Sequence, residues 1–189
     1  MNIKFAKYRK SDKRNIKTLY LKAFPKEERL PIWFLALKAK AESVNFYSLY
    51  DDDRWVGFIY FALKNDLLYV LFFAIDEASR SQGYGGSVIS ELKEMFPTHK
   101  IVLNTEVLDE NAPNNSDRIR RRRFYEKHGF KETGYRVKLT NTLSFDYMLH
   151  GDSFCVEEFF DLVKWYLGKV LWVLFRGEKV YKQTVGNVK

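Results

Sequence analysis

Residues 79–87 read SRSQGYGGS, with Gly83, Gly85 and Gly86 crowded into four positions. They follow an apolar run at 67–75. They precede a helical pattern over 84–95, in which Val88, Ile89, Leu92 and Met95 repeat at helical spacing. Glycine at such a junction admits left-handed backbone and lets the chain approach a bulky ligand. The first turn of the following helix adds unpaired N–H groups and a partial positive charge. Together these features suit a phosphate or pyrophosphate. Two well-known phosphate loops fail on spacing. No lysine follows the glycines, which excludes Gly-Lys-[Ser/Thr]. The order Gly83-x-Gly85-Gly86 excludes G-x-G-x-x-G. A plain glycine-rich turn is the competing reading.

One pattern fits. Arg80-Ser81-Gln82-Gly83-Tyr84-Gly85 matches Arg/Gln-x-x-Gly-x-Gly/Ala, and residues 123–135, RFYEKHGFKETGY, supply a helix with a tyrosine, then Gly-Phe, then a strand. With these two motifs, in this order and with a strand between them, residues 2–150 resemble the GNAT acyltransferase superfamily. The resemblance implies acetyl-CoA as cosubstrate and an amine as acceptor. It implies that backbone groups of Phe73, Ala74 and Ile75 meet the pantetheine arm. Amides around Gln82, Gly83, Gly85 and Gly86 would hold the pyrophosphate, with the Arg80 cation nearby. Tyr125 matches the tyrosine that protonates the departing thiolate. Direct attack of the amine on the thioester, through a tetrahedral oxyanion, needs no covalent enzyme intermediate. The lone Cys155 lies outside both motifs and reads by default as a small buried apolar residue. No metal is implied.

An amine is protonated at neutral pH, so a base would help. The family offers no base fixed in a motif. The strand 100–108, KIVLNTEVL, makes Glu106 the best candidate, with Thr105 pointing to the opposite face. Glu27 and Glu28, in the stretch FPKEERLP between Pro25 and Pro31, are the alternatives, against a solvated helix cap; water is a further one.

Residues 117–125, DRIRRRRFY, place Arg118, Arg120, Arg121, Arg122 and Arg123 within six positions. On a helix, Arg118, Arg121 and Arg122 fall close together, on the side of Tyr125. Three readings stand side by side: a solvated face with pairs such as Arg122–Glu126, contact with CoA phosphates or an acidic acceptor, and nucleic-acid binding. No nucleic-acid-binding module accompanies the run, so no nucleic-acid partner is expected.

The elements that must position these groups alternate in type. Strand patterns occupy 2–8, 45–50, 54–63, 67–75, 100–108 and two runs after Gly129, separated by a turn at 140–142. The run 67–75 is apolar enough for a strand buried on both faces. Helical patterns occupy about 12–24, capped by Ser11 or Asp12, then 30–42, 84–95, 117–128 and 154–167; 169–175 fits strand or helix. The expected fold is α/β (α+β) and GNAT-like: a mixed, mostly antiparallel sheet of about seven strands flanked by helices. Residues 151–189 form a C-terminal helical extension, packed on the same domain or at a homodimer interface. Trp165, Tyr166 and Trp172 could also wall an acceptor pocket.

The 189 residues carry 32 Lys and Arg against 24 Asp and Glu, a formal charge of +8 that favours anionic partners. A composition 46% hydrophobic excludes a disordered or fibrous chain. One cysteine excludes an internal disulfide. The start, MNIKFAKYRK, has no apolar signal region, and no apolar run reaches membrane-span length, so a cytoplasmic protein without a membrane partner is expected.

Overall fold

Alternating aromatic residues build the first half of the chain. Val44–Asp51 (β2), Arg54–Lys64 (β3) and Leu67–Ile75 (β4) form an antiparallel meander, with Ile3–Lys7 (β1) antiparallel on its β2 edge. The protein is seen in a computed structural model that describes residues 2–138, 144–175 and 179–182; of 169–175 and 179–182 it describes the backbone alone. The expected turn at 140–142 and the Trp172 side chain lie outside the described residues.

The chain divides into two compact units, residues 1–99 and 100–189. In the first, the two faces of the sheet separate cleanly. Phe58 of β3 and Phe72 of β4 meet Tyr20 and Phe24 at the end of helix Lys13–Ala23 (α1), with Tyr20 and Phe72 edge-on at 5.0 Å and Tyr60 of β3 against Phe72. The next residue along β3, Phe61, points the other way, onto Phe96 at the end of helix Tyr84–Met95 (α3). β4 is not sealed on both faces as its composition suggested. Val70, Phe72 and Ala74 are buried, whereas Leu71, Phe73 and Ile75 are half-open, and a bulge falls where Tyr60 and Phe61 face Phe72 and Val70.

Two helices differ from the sequence expectation. Asp12 does not cap α1 with its side chain. Its buried carboxylate accepts from Ser48 Oγ at 2.7 Å and Tyr50 Oη at 2.8 Å instead, tying the helix start to β2. The second helix, Ile32–Lys38 (α2), is shorter than the apolar pattern suggested, because residues 39–43 break into turns.

In the second unit the strands run β5-β7-β6-β8, every neighbour antiparallel: Lys100–Glu106 (β5), Ser144–His150 (β7), Lys131–Lys138 (β6) and Lys179–Lys182 (β8). β8 is the strand the sequence pattern did not reveal. Helix Asn115–Lys127 (α4) follows β5, and Val156–Phe175 (α5) follows β7. The ambiguous run 169–175 is helical, set off from the first part of α5 by a kink at Gly168. Phe154 and Phe159 pack on Tyr147 of β7, with Phe159 at 4.6 Å. Tyr166 is buried, Trp165 is exposed, and Cys155 is half-buried, with its thiol donating to Glu157 at 3.3 Å. Among the described residues no helix is long and apolar enough to cross a membrane.

Candidate functional site

The glycine-rich segment runs from the end of β4 to the first turn of α3. Asp76 turns the chain, its carboxylate accepting from the Ala78 amide at 3.2 Å, and a single 3-10 turn covers Glu77–Ser79. Ser81 then stands at φ 61° and Gly83, the residue ahead of α3, at φ 89°. That left-handed geometry suits Gly83, which has no Cβ, and costs Ser81 about 1 kcal/mol. The first bond of the helix runs from Ser87 N to Gly83 O at 3.1 Å. The Gly85 and Gly86 amides precede it and point out of the helix end, where the macrodipole favours an anion.

Side chains brace this loop from within. Arg80 Nε donates to Ile75 O at 3.1 Å and its guanidinium lies 3.7 Å from Glu77, which also pairs with Lys22. Gln82 Nε2 donates to Ala78 O at 2.9 Å. Arg80 and Gln82 therefore shape the loop, and Arg80 remains partly exposed, with its positive charge beside the glycines. Beside the turn, Arg14, Thr18 and Lys22 of α1, with Trp55, Asp76 and Glu77, line a cavity of about 500 Å³.

The three expected pantetheine contacts divide in two. Asp76 N donates to Val56 O at 2.9 Å, which fixes the ladder phase. Ala74 opposite Phe58 is then a hydrogen-bonded pair, whereas Phe73 and Ile75 direct their backbone N–H and C=O away from β3. Of these groups, Ile75 O accepts from Arg80 Nε. Ala74 spends its backbone on β3.

In the second unit, the FYEKHGF segment is the end of α4. Gly129, at φ 77°, closes the helix with its amide on Glu126 O at 2.9 Å, and the Phe130 amide returns to Tyr125 O at 3.1 Å. This folds the Phe130 ring edge-on against Tyr125 at 5.6 Å. Tyr125 is 8% exposed, and among the described residues its hydroxyl meets no hydrogen-bonding partner. Burial pushes the Tyr125 pKa up to about 12, with Arg121 pulling it back in part. The hydroxyl thus stays protonated throughout the neutral range and can serve as a donor.

Glu106 is buried at the end of β5, and its carboxylate is not idle. Oε2 accepts from Arg121 Nη1 at 2.9 Å, and Oε1 accepts from Asn114 Nδ2 at 3.2 Å and lies 3.4 Å from Arg118 Nε. Arg118 also donates to Val107 O at 2.7 Å and Asn114 Oδ1 at 3.0 Å. Glu106 is thus engaged by three donors, two of them cationic. One turn on, Arg122 pairs with Glu132 and with Asp146 Oδ2 at 2.7 Å, and Arg136 grips the same Asp146 through two bonds, at 2.7 and 3.0 Å. The expected Arg122–Glu126 pair gives way to these partners, because two strand carboxylates stand beneath the helix. The three arginines that cluster on one side of α4 are held by the sheet of their own unit. Arg120 pairs with Asp117 at the exposed surface, and Arg123 is exposed. Glu27 and Glu28 lie on a 3-10 turn fastened at both ends. Tyr20 Oη donates to Leu30 O at 3.1 Å and accepts from Leu30 N at 2.9 Å, while Arg29 Nε donates to Phe24 O at 2.7 Å.

The strand order, the bulged β4 and the anion-ready turn into α3 define an α/β fold of the acyl-CoA N-acyltransferase class. Residues 42–132 match the family model described as the acetyltransferase (GNAT) domain. A structure from Bacteroides thetaiotaomicron assigned to the GNAT acetyltransferases is 25% identical, covers 89% of this chain and 98% of its own, and superposes with a TM-score of 0.66. Two further structures share the fold. The Escherichia coli ribosomal-protein-S18-alanine N-acetyltransferase is 19% identical over 82% of this chain and 96% of its own, with a TM-score of 0.56. Arabidopsis thaliana Naa50, in complex with the bisubstrate analogue CoA-Ac-MVNAL, is 18% identical over 80% of this chain and 100% of its own, with a TM-score of 0.58. No curated protein matches the sequence closely enough to be called similar.

Proposed function

We propose that this protein is an N-acetyltransferase that moves an acetyl group from acetyl-CoA to an amine of a small molecule or a peptide. The observation that carries the reading is the loop of residues 80–86, inside the matched family segment. It combines a left-handed Gly83, outward glycine amides at a helix N-terminus and the Arg80 cation. Its chemistry fits a pyrophosphate. Gln82, Gly83, Gly85 and Gly86 hold the anion through the backbone, and Phe73 and Ile75 offer strand backbone to the pantetheine arm. When bound, acetyl-CoA supplies an activated thioester: the amine nitrogen gains the acetyl carbon, the C–S bond breaks, and CoA leaves as the thiol.

Tyr125 supplies the proton donor. Kept neutral by burial, its hydroxyl donates toward the sulfur as negative charge develops there. The amine must shed a proton, and Glu27 and Glu28 are carboxylates on a fastened, accessible turn that could receive it directly or through water. They also favour a cationic amine as acceptor. Glu106 is assigned to holding α4, the helix that carries Tyr125, because its oxygens are committed to Arg118, Arg121 and Asn114.

The test is a panel of amines with acetyl-CoA and detection of free thiol. Amine-dependent thiol release supports the reading. CoA-dependent thermal stabilisation with no turnover on any amine would replace it with a non-catalytic CoA-binding module. Neither turnover nor a melting shift at millimolar CoA would overturn it.

A further inference from the structure

The anion loop is strained at Ser81, and a non-glycine residue in that conformation persists only where its surroundings over-determine it. The bonds from Arg80 and Gln82 come from the loop itself. Beyond the Lys22–Glu77 pair, external constraint comes from a turn more than twenty residues upstream, the DDDR turn between β2 and β3. It touches the loop on both flanks. From the β2 side, Asp51 Oδ2 accepts from the Tyr84 hydroxyl at 2.8 Å, which fixes the first residue of α3. From the β3 side, Arg54 Nη2 donates to Ala78 O at 3.0 Å and to the buried Ser79 Oγ at 3.1 Å, which fixes the segment before Arg80. Residues 80–83 are the stretch between these two anchor points.

The Tyr84 ring is buried while its hydroxyl reaches out to Asp51, so the side chain acts as a strut and not as a ligand contact. The Asp51 carboxylate is set by two donors, Tyr84 on one oxygen and the Asn2 amide on the other at 3.2 Å. The bond to Tyr84 is the largest influence holding Asp51 below the usual carboxylate range, and the same bond raises Tyr84.

We propose that Asp51, Arg54 and Tyr84 are positioning residues for the anion loop: the β2–β3 turn clamps both of its ends and thereby sets the affinity for CoA. This rests on the reading of residues 80–86 as a CoA pyrophosphate loop. The clamp acts before binding, by keeping the Gly85 and Gly86 amides aimed outward, so loosening it costs affinity through lost preorganisation.

The experiment is calorimetric titration of CoA into the full chain, together with amide hydrogen exchange of residues 80–86 without ligand. Tyr84→Phe and Arg54→Ala are each expected to weaken CoA about three- to tenfold, the range for a charge-assisted hydrogen bond discounted for exposure. Both are also expected to speed exchange in the loop. Asp51→Ala should match Tyr84→Phe, and the two together should cost no more than either alone. Asp51→Asn, which keeps an accepting oxygen, should restore most of the affinity. Folded variants whose CoA affinity and loop exchange stay within twofold of wild type would overturn the clamp. Wild-type protein that binds no CoA at millimolar concentration would instead overturn the pyrophosphate reading, and with it the affinity role. The exchange data still decide by themselves whether the turn holds the loop.

Discussion

Replacing Glu106 by Gln separates two roles for a buried carboxylate. The substitution keeps the shape and removes the charge. Arg118 and Arg121 lose the anion between them, and one carboxylate acceptor becomes an NH₂ group facing guanidinium donors. A hydrogen bond between charged groups contributes about 1.5–3 kcal/mol. Arg118 is 17% exposed and keeps Val107 O and Asn114 Oδ1, while Arg121 is 44% exposed and its pair is largely screened by solvent. A loss of about 2 kcal/mol follows, or roughly 4–8 °C in melting temperature for a chain of this size. Scanning fluorimetry or calorimetry reads that shift. Kinetics with acetyl-CoA and an amine identified by the panel provide the second measurement. If Glu106 holds α4, the melting temperature falls while the acid limb of the pH–rate profile keeps its position. If Glu106 is the base, the melting temperature stays within about 1 °C, the rate falls about 100-fold or more, and the acid limb disappears. That second outcome would refute the reasoning given for α4.

Tyr125→Phe removes a hydroxyl that has no partner among the described residues, so the melting temperature should barely move while turnover falls about 100-fold in the thiol-release assay. Because burial raises the folded-state pKa of Tyr125 to about 12, its contribution to stability is intact below pH 10 and is lost as pH rises from about 10 toward 12. Alkaline melting curves should therefore be flatter for the Phe variant. Gly57→Ala places a methyl 2.3 Å from Ala74 O, a backbone atom that can yield only by moving β4. A cost of about 2–3 kcal/mol and a fall of roughly 5–10 °C are expected in thermal melts. Asp146→Ala removes the carboxylate that Arg122 and Arg136 share, leaving Arg122 with Glu132, and chemical denaturation should show a loss of about 3 kcal/mol, larger than for Glu106→Gln because Asp146 is more deeply buried.

Local chemistry was legible along the chain. The start of α3 at Tyr84 and both ends of β4 at 67–75 follow from glycine and apolar patterning, which act within a few residues. The glycine loop could be read for the same reason: its backbone freedom and the helix end that follows it are properties of adjacent residues. Gly129 marked the end of α4, and the short range of a helix cap explains why.

Residues far apart in sequence were decided only by the tertiary structure. Asp12 looks like a helix cap until β2 brings Ser48 and Tyr50 to its carboxylate. The DDDR turn looks like any acidic turn until Tyr84, 33 residues on, reaches Asp51. The arginine run looks like a solvated or ligand-binding face until strands 15 to 24 residues away deliver Glu106 and Asp146 beneath it. A charge's partner is chosen by which strands lie side by side, and strand pairing is a long-range property that spacing does not encode. The sequence alone therefore determined that this chain would present a glycine-rich loop between a strand and a helix. The tertiary structure decided which side chains hold that loop, and which charges are already committed to the fold.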